Sequence, residues 1–333
     1  MRLSIFALAF FLFLPATWIN AQHAAAPREL TLYTALSATT PQMPLWGAIR
    51  QGWPGPGYRL KVEYWKNMDD LRGLLLAGKG DLWIGHLEGF AQAARRGAPL
   101  TLLAVTGWKK FYFIGREEPA GTGREKMLET VAEDLRRNGA ALAMAPQDSP
   151  ASGLLAEIAR RGGPEFKIAP LPAPQLMLEI SRGKWLYALL PEPLVSVLLL
   201  KNPSWRVLTG LEEELARRFG GLPRLPLAGL SASAALAEQN PELLEDLLDK
   251  MRAAAAAMEK QPEEALAALP QEVLSALGPE VIRASLGRDL LLALPAREIE
   301  PEIDAFLRLV LPAAAGSPED AVPEYFIFKG AAR

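Results

Sequence analysis

Few side chains in this sequence are equipped for chemistry, and most of them fall where a strand hands over to a helix. Ser37, Thr39 and Thr40 follow an apolar, β-rich run at Leu30 to Leu36 and open a helix predicted over Thr39 to Gln51. Hydroxyls at a helix N-terminus lie beside unpaired N–H groups and the positive end of the dipole, so they can help to hold an anion. Ordinary N-capping, worth about 1 kcal/mol, accounts for them equally well. The segment His86 to Gly89 (HLEG) sets an imidazole, a carboxylate and a glycine at the end of another strand. Glycine lets a ligand approach the backbone, and His86 can donate to an anion, stack on a ring or change charge near neutrality. Glu88 is explained as simply by a helix start, where a carboxylate is favoured. Thr106 and Trp108 close the next strand. Trp108 is expected as an aromatic cover for a ligand, with packing at a chain crossing as the competing role.

A second set lies further along. Asp148 and Ser149, in PQDSPAS, can cap the helix opened by Pro150. Asp148 would repel an anion and suits a cationic or neutral hydrogen-bonding ligand. Glu192, in PEP after the strand LYALL, is either a first-turn carboxylate or a ligand contact. Basic pairs such as Arg95-Arg96, Arg160-Arg161 and Arg217-Arg218 read as solvated helix ends, and Glu212 to Glu214 as an exposed acidic run.

Composition removes much else. The 333 residues include no Cys and only two His, so thiol nucleophiles, thiolate metal sites and a His-rich metal site are excluded, and no cofactor is expected. No G-x-S-x-G, P-loop or metal-ligand spacing occurs. A net charge of -2 and a pI near 5.9 disfavour nucleic-acid binding.

The elements that must position these residues alternate. Strands are predicted at Tyr58 to Trp65, Asp81 to Gly85 and Leu100 to Thr106, separated by helices over Met68 to Ala77 and Glu88 to Arg96. Such spacing implies crossovers and a mostly parallel sheet. After a linker at Glu117 to Gly123 the pattern restarts, with strands at Ala140 to Ala145, Phe166 to Leu171 and Leu186 to Leu190. A loop at Gly220 to Pro226 precedes a return strand over Leu227 to Ser231. From Asn240 the chain reads as nearly all helix, including one predicted over Pro279 to Leu294.

The first residues follow the order of a secretory signal peptide: Arg2, an apolar run from Ile5 to Leu14, Pro15, then small residues with cleavage expected at Ala21. The apolar run is too short to span a bilayer. Export into a periplasm-like space is expected.

The stretches GKGDLWIG (78–85), RRGAPLTLLAV (95–105), PQDSPAS (146–152), LPEPLVSVLL (190–199) and PEYFIF (323–328) give the chain an order of segments that resembles the nitrate/sulfonate/taurine-type family of ABC-transporter solute-binding proteins. The resemblance spans about Arg28 to Gly330. It implies an α/β, two-lobed type II periplasmic-binding-protein fold, with a helical C-terminal region packed on lobe one. Lobe one would hold residues 28–115 and 225–333, and lobe two residues 116–224. It also implies an interlobe cleft for a small polar solute, a permease and its ATPase as partners, a monomer, and no catalysis. Hydroxyls and helix N-termini lean the expectation toward an oxyanion or sulfonate. Glu88, Asp148, Glu192 and Trp108 would better suit an amine or pyrimidine. The alternatives are an enzyme like thiamine-pyrimidine synthase, whose cysteine-rich segment this chain lacks, and a ligand-sensing receptor subunit.

Overall fold

The computed structural model describes residues 26–36, 40–116, 123–146, 149–221, 224–311 and 322–331. The expected signal peptide, Ser37, Thr39 and Asp148 lie outside them. In chain order the first elements are β1 (Arg28–Thr34), α1 (Met43–Arg50), β2 (Tyr58–Tyr64), α2 (Met68–Leu76), β3 (Leu82–His86), α3 (Leu87–Arg95) and β4 (Leu100–Gly107). There follow β5 (Phe111–Gly115), α4 (Met127–Arg137), β6 (Leu142–Met144), α5 (Ala151–Arg160), β7 (Ile168–Pro170), α6 (Ala173–Ser181), β8 (Tyr187–Pro191), α7 (Leu194–Lys201), β9 (Arg206–Gly210) and α8 (Leu211–Phe219). The chain then runs through β10 (Ala228–Ser233), α9 (Ala234–Gln239), α10 (Pro241–Lys260), α11 (Pro262–Ala268), α12 (Gln271–Leu277), α13 (Pro279–Leu286), β11 (Leu294–Pro295) and α14 (Glu300–Val310).

Two sheets result, a six-stranded one in the order β11-β4-β10-β3-β1-β2 and a five-stranded one in the order β7-β6-β8-β5-β9. Each is mixed rather than mostly parallel, for a topological reason. The chain leaves the first sheet at the carboxyl end of β4 and must enter the second sheet from the facing edge. It therefore runs antiparallel to β8 and β9, with Phe111 opposite Pro191 and Tyr112 opposite Gly210. On return, β10 inserts between β3 and β4 in the reverse direction, with Ala228 opposite both His86 and Gly107. The insertion is tight: a Cβ at Gly229 would lie 2.2 Å from the Ala104 carbonyl oxygen. Only glycine fits there.

The first lobe's remaining face is covered by helix. On α10, Leu244, Leu247, Leu248, Met251, Ala254, Ala255 and Met258 form a buried stripe at helical spacing. Gly47 of α1 meets that stripe so closely that a Cβ would lie 2.5 Å from the Ala254 Cβ.

Three sequence expectations change. The buried strand β5 pairs within the second sheet, although the sequence expectation ran lobe one through residue 115. The helix expected over Pro279 to Leu294 stops at Leu286, because Arg288 and Asp289 turn away to bind partners across the molecule. The acidic run 212–214 is not an exposed surface: Glu212 and Glu214 are buried at the start of α8, and only Glu213 is exposed.

Candidate functional site

The topology brings the carboxyl ends of β1, β3, β4, β8 and β9, and the first residues of β5 and β10, to one interface between the lobes. Open α/β sheets bind ligands beyond the carboxyl ends of their strands. From the first lobe, the β1–α1 loop is pinned by Gln42, which is fully buried. Its Oε1 accepts from Thr34 Oγ1 at 3.0 Å and Trp46 Nε1 at 2.9 Å, while its Nε2 donates to the Ala35 carbonyl at 3.0 Å. This staple holds Thr40, itself buried, against the crossing.

The crossing is Trp108 to Lys110. Lys109 takes a positive φ of 52°, costly for a residue with a side chain, and its Nζ pairs with Glu213 at 2.7 Å. Lys110 points inward. Its ammonium donates to Thr40 Oγ1 at 2.6 Å and to Asp289 Oδ2 at 2.5 Å, and its side chain is 10% exposed. Thr40 Oγ1 and Ser285 Oγ also donate to Asp289 Oδ2. The Asp289 side chain is wholly buried, and its Oδ1 has no hydrogen-bond partner among the described residues.

The second lobe contributes Glu192, just past β8. Its N–H donates to the Lys110 carbonyl at 2.9 Å, and its Oε1 receives Arg288 Nε at 2.5 Å. Arg288 Nη2 also donates to Ser196 Oγ at 2.6 Å, and the Tyr112 hydroxyl lies 2.7 Å from the Arg288 carbonyl. Arg288 thus ties the first lobe to the second through Glu192, and the adjoining Asp289 ties it to the crossing through Lys110. Burial pushes the Glu192 carboxyl above its ordinary range; Arg288 opposes this, and the Asp289 charge adds to it. Burial and the neighbouring carboxylates, Asp289 first among them, raise the Tyr112 phenol.

Glu212 lies under the crossing. Its Oε1 accepts from Lys110 N at 2.7 Å, and its Oε2 is buried without a partner among the described residues. Burial pushes this carboxyl up to about 7 against the pull of those backbone N–H groups, and the field of Asp289 contributes.

His86 ends β3 and occupies the N-cap position of α3. Its Nδ1 lies 3.5 Å from Glu88 Oε1, and its side chain is 36% exposed. Burial works against the imidazolium, but the hydrogen bond to Glu88 and that residue's charge outweigh it and raise the pKa, while Lys110 pulls the other way. Glu88 Oε2 is buried and unpartnered among the described residues.

Among the sequence candidates, Thr40, His86, Glu88 and Glu192 therefore meet at the interface. Ser149 is buried, and its Oγ accepts from Ala151 N at 3.3 Å, as a capping residue does. Thr106 is fully buried, and its Oγ1 has no partner among the described residues. Trp108 does not cover the cleft. It is wholly buried, donates Nε1–H to the Leu292 carbonyl at 2.9 Å, and lies beneath the Arg224 guanidinium, 5.0 Å from the ring centroid. Hydrophobic packing at the crossing, the competing role, explains it.

Sequence reasoning missed Lys110, Glu212, Arg288 and Asp289. A signal for the first existed: Lys109-Lys110 interrupts the otherwise apolar TGWKKFYFIG. Arg288 and Asp289 carried none, being absorbed into a predicted helix.

A groove of about 1520 Å³ lies between α5, α8 and α14 and reaches Glu212 and Arg224. Several of its charges are already spent on one another: Arg160 and Arg161 on Glu157, and Arg224 on Glu302.

No protein-family profile matches the sequence, and no curated protein does. Solved structures do. An ABC transporter structure from Parabacteroides distasonis is 15% identical, with a TM-score of 0.65 over 90% of this chain and 98% of that one. The periplasmic aliphatic sulphonate binding protein of Escherichia coli is 16% identical, with a TM-score of 0.61 over 85% and 88%. The periplasmic nitrate-binding protein of Synechocystis PCC 6803 is 14% identical, with a TM-score of 0.59 over 87% and 83%. The chain has the two-lobed periplasmic-binding-protein fold.

Proposed function

We propose that this protein is the exported solute-binding component of an ABC importer. It captures a small polar solute between its lobes and delivers it to a membrane permease powered by an ATPase. One observation carries the reading. Polar side chains from both lobes converge at one interface, and among the described residues the backbone passes between the two sheets near residues 108–110 and again between α8 and β10. Two rigid sheets on so narrow a connection can hinge, and a solute that bonds to both lobes favours the closed arrangement. The solved structures of this fold named above come from ABC transport and from sulphonate and nitrate binding. The signal-like N-terminus supports export to the periplasm, where the protein would act as a monomer and without turnover.

A solute should lower the radius of gyration in small-angle scattering, raise the melting temperature and be recovered unchanged. Conversion of the recovered compound would instead support the enzyme alternative. Loss of solute uptake on deleting the chain, restored by the chain alone, tests the transport step.

A further inference from the structure

The charges at the interlobe interface do not balance in favour of an anion. Among the described residues three carboxylates, Glu88, Glu192 and Asp289, face two permanent cations, Lys110 and Arg288, and one imidazole, His86, so no net positive charge awaits an anion; Glu212, pushed up to about 7, adds none. Hydrogen bonds join Thr40, Lys110 and Asp289, and Arg288 with Glu192, while the strand register sets His86 and Gly107 on either side of Ala228. The Asp289 charge acts on Glu192, Glu212 and Tyr112, and the Lys110 charge acts on His86.

Every cation is committed. Lys110 is spent on Asp289 and Thr40, Arg288 on Glu192 and Ser196, and His86 faces Glu88. Among the described residues, the buried side-chain atoms left without a partner here include two carboxylate oxygens, Asp289 Oδ1 and Glu88 Oε2. Asp289 Oδ1 belongs to a wholly buried side chain, and Glu88 Oε2 to one only 14% exposed; both lack a donor. A buried acceptor without a donor is costly, so a ligand that supplies one gains accordingly. An oxyanion would have to break an existing ion pair and face these oxygens. The molecule also holds an internal precedent: the alkylammonium of Lys110 rests on Thr40 and Asp289, one carboxylate oxygen away from Oδ1.

We infer that the solute is a nitrogen donor, a small molecule whose ammonium, amidinium or amino group donates hydrogen bonds to Glu88 Oε2 and Asp289 Oδ1. The inference rests on the binding-protein reading and names its solute class. Thr40 and His86 border the same acceptors and would contact the rest of the solute.

The test uses probes matched in skeleton and opposed in chemistry. Propylammonium is compared with propanesulfonate, benzamidinium with benzenesulfonate, and acetamide with nitrate. Each is titrated calorimetrically into protein stripped by unfolding and refolding, at constant ionic strength. Only the nitrogen members should bind. Glu88→Gln should weaken them on the order of 10- to 100-fold, as befits a hydrogen bond to a charged acceptor, with an unchanged melting temperature without probe. Asp289→Asn should weaken them likewise but also lower the melting temperature by loosening the buried pair with Lys110, and Glu88→Gln keeps the test valid if Asp289→Asn fails to fold.

Binding by the sulfonates or nitrate alone would overturn the donor class while leaving a binding protein. Binding of amines undiminished in Glu88→Gln would overturn the assignment of the acceptors. Silence from both columns would also reject the donor class. Capture of an amine followed by its chemical conversion would spare the donor class and sink the importer reading instead.

Discussion

Replacing Glu212 by Gln should make the protein more stable at neutral pH and alter its stability profile in a defined window. The carboxyl is 1% exposed, holds two backbone N–H groups at the crossing, and is pushed up to about 7 from an ordinary 4.5. Below pH 4.5 both folded and unfolded chains carry the proton, and the group costs nothing. Between 4.5 and 7 the unfolded chain has released its proton while the folded chain retains it, so stability falls as pH rises. At about 1.4 kcal/mol per pH unit, the interval amounts to roughly 3 kcal/mol. Gln keeps the Oε1 acceptor for Lys110 N and does not titrate. The difference in unfolding free energy, Glu212→Gln minus parent, should therefore climb by about 3 kcal/mol from pH 4.5 to pH 8. Urea unfolding followed by tryptophan fluorescence at half-unit pH intervals measures it. Taking the difference cancels Glu129, Glu157, Glu179 and Glu263, whose pKa values are lowered and which act in the opposite sense. A flat difference across the window would refute the claim that the folded state withholds this carboxyl from ionisation. A fall would mean that the ionised form is what the crossing requires.

Arg288→Ala leaves Glu192, whose side chain is wholly buried, without its cation. The loss should be about 2–3 kcal/mol, less than for a fully buried pair because the guanidinium is 27% exposed, and scattering should show a larger unliganded radius of gyration. Trp108→Phe removes the donor to the Leu292 carbonyl and should cost about 1–3 kcal/mol in urea unfolding. Solute affinity should not change, and a loss of binding with intact stability would return Trp108 to the cleft wall. Gly229→Ala forces a Cβ against the Ala104 carbonyl within a paired strand, where neither backbone can retreat. A melting temperature consistent with a loss of at least about 2 kcal/mol, or poor soluble yield, is expected.

Much of the architecture was legible because it depends on short-range order. Alternation in YRLKVEYW, the apolar run LTLLAV and the Pro-led starts of the helices after Asn240 marked elements within a residue or two of where they begin. The positions of Thr40, Glu88 and Glu192 past a strand, and of His86 at the end of one, could be read for the same reason, and strand ends are where such sheets present side chains.

By itself, then, the sequence determined the alternating elements, the places where the chain turns, and the absence of cysteine chemistry. Tertiary structure alone decided the strand directions and the partners of the charges. Lys110 and Asp289 stand 179 positions apart and Glu192 and Arg288 stand 96 apart, so no local pattern can pair them. They meet because β4 must cross at its carboxyl end and β10 must return beside it, which closes both lobes around one small volume. Within that volume, loss of solvent strengthens each ion pair and lifts the pKa of Glu212, an effect set by what surrounds a residue in space rather than by its neighbours in sequence.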